Sequence, residues 1–281
     1  MKYFLVPVLV LLLFSCKNKS ADQQEDKIYS RHLQRQVKLT IINTPIPGNK
    51  EELNLLLLND GQDLKVMRVK EIIDSLYKAA LIQPLIVVGI DAGDRMQEYG
   101  ISDKPDYEKK GSRASYYNAF IDKELYAFIK KRAGVRKFKS VAIAGWSLGG
   151  LSAFDIAWNN ADKIDKVGIF SGSFWWRDKS TSDSSYSDEK SRIVYATIKA
   201  ARRKPSTKYW FFTGSLEESS DRDKDGIIDV QDDTEDIRLL LMEKGLARKE
   251  EMPLVIDRLG KHDLATWSKQ LPGFILWAFG K

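Results

Sequence analysis

A serine bounded by glycines, Gly145-Trp146-Ser147-Leu148-Gly149 with Gly150 directly behind it, constrains this chain more than any other feature. Before it, Ser140-Val141-Ala142-Ile143-Ala144 is a short apolar run that follows basic Lys137 and Lys139, the pattern of a buried parallel strand. After it, Leu151, Phe154, Ile156 and Ala157 recur at helical spacing until Asn159-Asn160 ends the segment. A chain that passes from buried strand to helix over so few residues must bend sharply at the serine. Glycines at 145 and 149 permit the strained angles and the close approach of helix to strand that such a bend requires. The motif therefore reads as a nucleophile elbow, with the serine hydroxyl raised above the end of a sheet. The bland alternative is a chance match in an ordinary strand-to-helix turn, and both flanks speak against it.

The rest of the chain keeps the same rhythm. Residues 37–43 alternate and are rich in β-formers, and 55–58, 85–90, 166–170, 209–212 and 254–256 are short apolar strands. Between them, 66–80, 116–132 and 239–244 have helical character, the last closed by Gly245. Strands alternating with helices predict an α/β fold, a mostly parallel central sheet with helices on both faces. Residues 178–187, loaded with Ser, Thr and Asp, read as a surface loop near the site mouth.

A serine hydroxyl is a poor nucleophile until a base accepts its proton, and the chain holds only 2 histidines. His32 precedes the first predicted strand and reads as a surface residue. His262 follows the last strand, in Arg258-Leu259-Gly260-Lys261-His262-Asp263, in the loop above the sheet where a base is wanted. The chain order serine, acid, histidine puts the third member between them, after a strand. Residues 209–212 are that strand, and Glu217 in the turn that follows is the choice, with Glu218 its immediate rival. Such an acid orients the imidazole and stabilises its charged form. For the oxyanion, the backbone N–H of Leu148 is one expected donor and that of Gln62, in the Asp60-Gly61-Gln62 loop after an earlier strand, the second.

These residues resemble the esterase family of α/β-hydrolases that groups enterochelin-esterase-like and feruloyl-esterase-like proteins. The likeness runs from about Leu55 to the C-terminus and is carried by Leu58-Asn59-Asp60-Gly61-Gln62, by Val88-Gly89-Ile90-Asp91 with Arg95 and Glu98-Tyr99, by the elbow, by Ser171-Gly172-Ser173-Phe174-Trp175-Trp176, and by Gly260-Lys261-His262-Asp263 leading into Trp267. The resemblance implies an α/β-hydrolase fold and serine-dependent hydrolysis of carboxylic esters through an acyl-enzyme, with no catalytic cofactor. Two departures concern the pocket: Lys261 stands where glycine is common, and Asp60 replaces the histidine of many oxyanion loops. The substrate expected is a small-molecule or glycan-linked ester, such as a siderophore or a polysaccharide acyl ester. Trp175 and Trp176 are candidates to pack an aromatic or alicyclic group, or belong to the core. Arg95 with Tyr99 is placed to grip an anionic or hydroxylated substrate, or the arginine pairs with Asp91 or Asp94. The alternative function is a non-catalytic surface protein that uses this fold to bind a glycan or siderophore.

A second motif follows the calcium-loop template. Asp221, Asp223, Asp225, Ile227, Asp229 and Asp232 occupy its ligand positions, with Gly226 at the sharp turn, in a pattern resembling dockerin-like loops. Carboxylates this close repel one another without a cation, so a structural Ca²⁺ is expected, a merely acidic solvated loop being the alternative.

The N-terminus suggests an address. Residues 3–14 carry no charge but fall short of the roughly 20 residues that span a bilayer, which suits a signal-peptide core. Leu13-Phe14-Ser15-Cys16 resembles the lipobox of bacterial lipoproteins, and Cys16 is the 1 cysteine in the chain, so internal disulfides are excluded. The organisation expected is a lipoprotein signal peptide over 1–16, a flexible polar tether over 17–27 and an esterase domain over 28–281, lipid-anchored in the bacterial cell envelope at the outer membrane or cell surface. The net charge of +6 is scattered, its dense runs such as Lys130-Lys131-Arg132 reading as solvated helix ends, and no nucleic-acid-binding motif accompanies it.

Overall fold

The computed structural model describes residues 20–202 and 206–281. The expected signal peptide with Cys16 therefore lies outside the described residues, as do Lys17, Asn18 and Lys19 of the expected tether. Among the described residues the strands β1 (Asp22–Ser30), β2 (Arg35–Asn43), β3 (Asn54–Asn59), β4 (Leu85–Ile90), β5 (Val141–Trp146), β6 (Lys166–Phe170), β7 (Lys208–Gly214) and β8 (Leu254–Asp257) form one sheet in the order β1-β2-β4-β3-β5-β6-β7-β8. From β4 to β8 every pairing is parallel, while β1 and β2 add an antiparallel edge. The chain has the α/β-hydrolase fold.

Helices α1 (Val69–Lys78), α2 (Arg95–Glu98), α3 (Ala114–Ala119), α4 (Tyr126–Ala133), α5 (Leu148–Asn159), α6 (Asp188–Ser191), α7 (Ile193–Ala200), α8 (Asp229–Glu243) and α9 (Leu264–Phe279) connect the strands. The unbroken leucine run of β3 shows why the sheet is covered on both faces. Leu55 and Leu57 join the core under α5 and α8, whereas Leu56 and Leu58 join the core beneath α1 and α9. Alternate side chains of a strand point to opposite faces, so a strand apolar at every position needs two cores. The expected helix over 116–132 is present in two pieces, α3 and α4, joined by a wider π turn at Phe120–Leu125. None of the helices among the described residues is long and apolar enough to cross a membrane.

The tether expected over 17–27 is corrected here, because the sheet begins at Asp22 and not at residue 28. β1 pairs with β2 in register from Asp22 against Asn43 to Ser30 against Arg35. Composition hid this strand because six of its nine residues are exposed and most of them are polar or charged. An edge strand is held by backbone hydrogen bonds and needs no apolar face, and charge along it is normal. Further ties come from outside the sheet: Ala21 N–H donates to Asp74 at 2.7 Å, and Arg132 pairs with Asp26 at 2.6 Å.

Candidate active site

The β5-to-α5 joint has the geometry its glycines foretold. Ser147 stands at φ 55° and ψ −125°, a strained conformation for a residue with a side chain. A Cβ added at Gly145 would lie 2.3 Å from the Gly149 carbonyl oxygen, and one at Gly149 would lie 2.6 Å from Asp60 Oδ2. The two positions thus have no room for a side chain. Ser147 N–H donates to the Phe170 carbonyl at 2.8 Å, which ties the bend to β6. Leu148 opens α5, so its N–H has no acceptor one turn back and is free to face the site.

Three separated segments converge on the serine. His262 Nε2 lies 2.9 Å from Ser147 Oγ, and His262 Nδ1 lies 2.8 Å from Glu217 Oε2. The glutamate side chain is 1% exposed and the imidazole 39%, so the carboxylate is enclosed while the ring reaches the surface. Glu217 Oε1 accepts from the Ser171 hydroxyl at 2.6 Å and from the Gly214 N–H, holding the carboxylate in one orientation. Glu218 points elsewhere: it accepts the Val230 N–H at the start of α8 at 2.8 Å, and burial raises its carboxyl above the ordinary range. The ring of Trp267 meets the imidazole edge to face, with centroids 4.9 Å apart, and stacks on Trp146 at 6.3 Å.

The loop after β3 approaches from the other side. Asp60 takes the left-handed conformation at φ 58° and starts the tight turn Gly61–Asp63 that carries Gln62. Gln62 uses its side chain locally, donating to Asp60 Oδ1 at 3.0 Å and accepting from Ala92 N–H at 3.2 Å. Asn59 donates to the Gly149 carbonyl at 2.8 Å, and Trp146 Nε1 donates to Asp63 at 3.0 Å. The loop is therefore bonded to residues on both sides of the serine.

The substrate-contacting set expected from sequence needs correction. Arg95 makes a two-point ion pair with Asp60, at 2.8 and 3.0 Å, and also reaches the Trp146 carbonyl at 3.4 Å. Its partner is neither Asp91 nor Asp94, and its guanidinium is already committed. Tyr99 is 0% exposed, with its hydroxyl accepting the Asp60 N–H at 2.9 Å, so it is core and cannot touch a ligand. Trp176 is likewise 0% exposed. Trp175 alone of the pair reaches solvent, with Arg177 poised over its ring. Both tryptophans follow Ser171-Gly172-Ser173, and a reading of composition gives no way to tell which indole turns inward.

In the acidic loop, oxygens of Asp221, Asp223 and Asp225 lie within 4.8 Å of one another. The carboxyl of Asp232 is pushed up to about 6, first by burial and then by the charges of Asp225 and Asp223. Asp229 is drawn off: it accepts from the Ser220 hydroxyl and from Arg222 N–H at 2.8 Å, and lies 3.5 Å from the Arg222 guanidinium. Arginine at the second loop position thus already answers one of the expected ligands. Ile227, another of the expected ligand positions, donates its N–H to Asp225 at 2.8 Å.

Residues 30–278 match the family described as "Putative esterase". The uncharacterised protein YbbA of Bacillus subtilis strain 168 is 24% identical over 232 residues, 80% of this chain and 84% of its own. Among solved structures, the enterobactin esterase FES of Shigella flexneri aligns with a TM-score of 0.70 at 20% identity over 91% of this chain. This chain spans 59% of that protein's length. A ferulic acid esterase aligns with a TM-score of 0.68 at 17% identity, over 92% of this chain and 98% of its own. The BES protein of Bacillus cereus aligns over 99% of both chains, with a TM-score of 0.64 at 17% identity. At these identities the structural likeness is one of fold.

Proposed function

We infer the reaction from one premise, that this chain belongs to the esterase family matched by its residues 30–278. The protein hydrolyses carboxylic esters through an acyl-enzyme, with Ser147 as nucleophile, His262 as base and Glu217 as the acid that orients it. The observation that supports this reading most is the unbroken chain of hydrogen bonds Ser147 Oγ to His262 Nε2 at 2.9 Å and His262 Nδ1 to Glu217 Oε2 at 2.8 Å.

Each step follows from that arrangement. His262 Nε2 takes the Ser147 proton as Oγ attacks the ester carbonyl, and Glu217 steadies the imidazolium without accepting the proton. The oxyanion that forms is met by the N–H groups of Leu148 and Gln62, donors of a kind worth about 2.7–4 kcal/mol each in a preorganised site. The imidazolium then protonates the leaving alcohol, and water, activated by the same base, releases the acid. The elbow raises the nucleophile, while Asn59 and Arg95 hold the oxyanion loop against it.

Trp175 is the residue available to pack the apolar part of the substrate, being exposed beside the Ser171-Gly172-Ser173 turn. The compounds named for two proteins of this fold, enterobactin and ferulic acid, point to the first esters to try. Two further elements belong to the same reading as proposals: a lipid anchor at Cys16 that keeps the enzyme in the bacterial cell envelope, and a structural Ca²⁺ on Asp221, Asp223 and Asp225 with Asp232 beside them.

Ser147→Ala tests the reaction. Hydrolysis of a short p-nitrophenyl ester and labelling by a fluorophosphonate probe are expected to vanish while the circular dichroism spectrum stays that of the wild type. Undiminished turnover in the variant would falsify the assignment.

A further inference from the structure

We propose that Ser171 is a positioning residue of the catalytic base, acting through Glu217, and that Trp267 directs it. The proposal rests on the esterase reading for its kinetic consequences and on geometry alone for its structural ones.

Ser171 is 0% exposed at the C-terminal end of β6, between the elbow and the acid turn. Its hydroxyl has one proton to donate and lone pairs to accept with. The Trp267 indole N–H donates to Ser171 Oγ at 2.9 Å, and an indole nitrogen can only donate. That leaves the hydroxyl proton for Glu217 Oε1, 2.6 Å away. With Ser171 buried, the polarity of the whole path is set: Trp267 donates to Ser171, Ser171 donates to Glu217, and the Nδ1–H of His262 donates to the same carboxylate. The path closes on itself, because the Trp267 ring also packs edge to face on the imidazole at 4.9 Å. One indole therefore bounds the base sterically and orders the acid through a hydroxyl.

The backbone supplies an independent argument. Ser171 sits at φ 50°, in the left-handed region that favours glycine. Glycine stands next to it at Gly172, so the turn has a glycine and does not use it at the strained place. Strain retained at a buried residue whose side chain joins a site is a mark of use, and here the hydroxyl is the side chain's whole chemistry.

Ser171→Gly is the informative variant, since it removes the hydroxyl and relieves the backbone. A purely structural serine would give a protein at least as stable and as active as the wild type. Positioning predicts unchanged or raised Tm, a kcat lowered about tenfold, and a KM within about twofold, the loss lying below the roughly 10²-fold cost of misplacing a reacting group by 1 Å. Trp267→Phe keeps an aromatic ring against the imidazole but lacks the donor, and is expected to show a smaller loss in kcat.

The second readout needs no substrate. With 2 histidines in the chain, the downfield proton signal of the His262 Nδ1–H is assigned by comparison with His32→Gln. In the wild type it is expected to be sharp, and in Ser171→Gly shifted or broadened, the same outcome being expected for Glu217→Gln. A signal and a kcat both unchanged in Ser171→Gly would overturn the proposal. A wild type that turns over no ester and resists the fluorophosphonate probe, yet whose signal responds to Ser171→Gly, would remove the esterase reading and leave the positioning role standing.

Discussion

Glu217 and Glu218 are neighbours of the same type, and nothing in composition separates them. Their surroundings do: one carboxylate is enclosed against His262, the other reaches the first turn of α8. Glu217→Gln is expected to lower kcat/KM by about 10³–10⁴-fold, the order of loss that follows when a triad acid is replaced by its amide, whereas Glu218→Gln should stay within a few-fold. Initial rates on one p-nitrophenyl ester decide it, and equal mild losses would leave neither glutamate as the orienter. Gly145→Ala is expected to give insoluble or strongly destabilised protein, since its Cβ would meet the Gly149 backbone at 2.3 Å; thermal melting of any soluble fraction measures the effect. That Ser147, His262 and Glu217 would meet was legible because each sits at the end of an apolar strand, where chain order and spacing are informative. Tyr99 and Trp176, offered as ligand contacts, are buried for a common reason, whereas Arg95 makes the aspartate pair that was its alternative, with Asp60 as the partner. A polar or aromatic residue beside a site is equally at home in the scaffold that supports it, and only burial distinguishes the two. Ser171 and Asp60 gave no sequence signal of their role, because a left-handed φ at a residue other than glycine cannot be read from its identity.

At the scale of elements, the strands with two apolar faces were all visible in the sequence and β1 was not. Its exposed, charged side chains imitate a linker, and the bonds that make it a strand belong to the backbone. A chain beginning at residue 28 is expected to melt at least about 5 °C below one beginning at residue 20, and to aggregate through the bared edge of β2. Equal melting curves would mean that β1 contributes nothing to the fold. The acidic loop was legible as a pattern, but the part played by Arg222 was not, since an arginine among aspartates can as easily face solvent. If calcium occupies the loop, saturating Ca²⁺ should raise Tm by about 5–10 °C over a chelated sample, as expected for a ligand at roughly 100 times its Kd. Asp232→Asn is expected to raise Tm in chelator, by removing a carboxylate that Asp225 and Asp223 repel, and to shrink the shift that calcium produces. A scan indifferent to both would leave the loop as acidic surface alone.

For the molecule as a whole, the anchor is tested by Cys16→Ser. The wild type should sediment with membranes and the variant should not, with fluorophosphonate labelling tracking the protein in both fractions. If that anchor is present, the start of β1 at Asp22 acquires a meaning beyond stability. Between Cys16 and Asp22 lie only the five residues Lys17, Asn18, Lys19, Ser20 and Ala21 before the chain is committed to the sheet. Five residues reach at most about 18 Å at roughly 3.6 Å each, close to the ~18 Å radius of gyration expected of a domain this size. An enzyme on so short a leash could not patrol the space beyond its membrane. Its mouth would sweep a layer no deeper than its own body, and its esters would have to be delivered to the surface or be part of it.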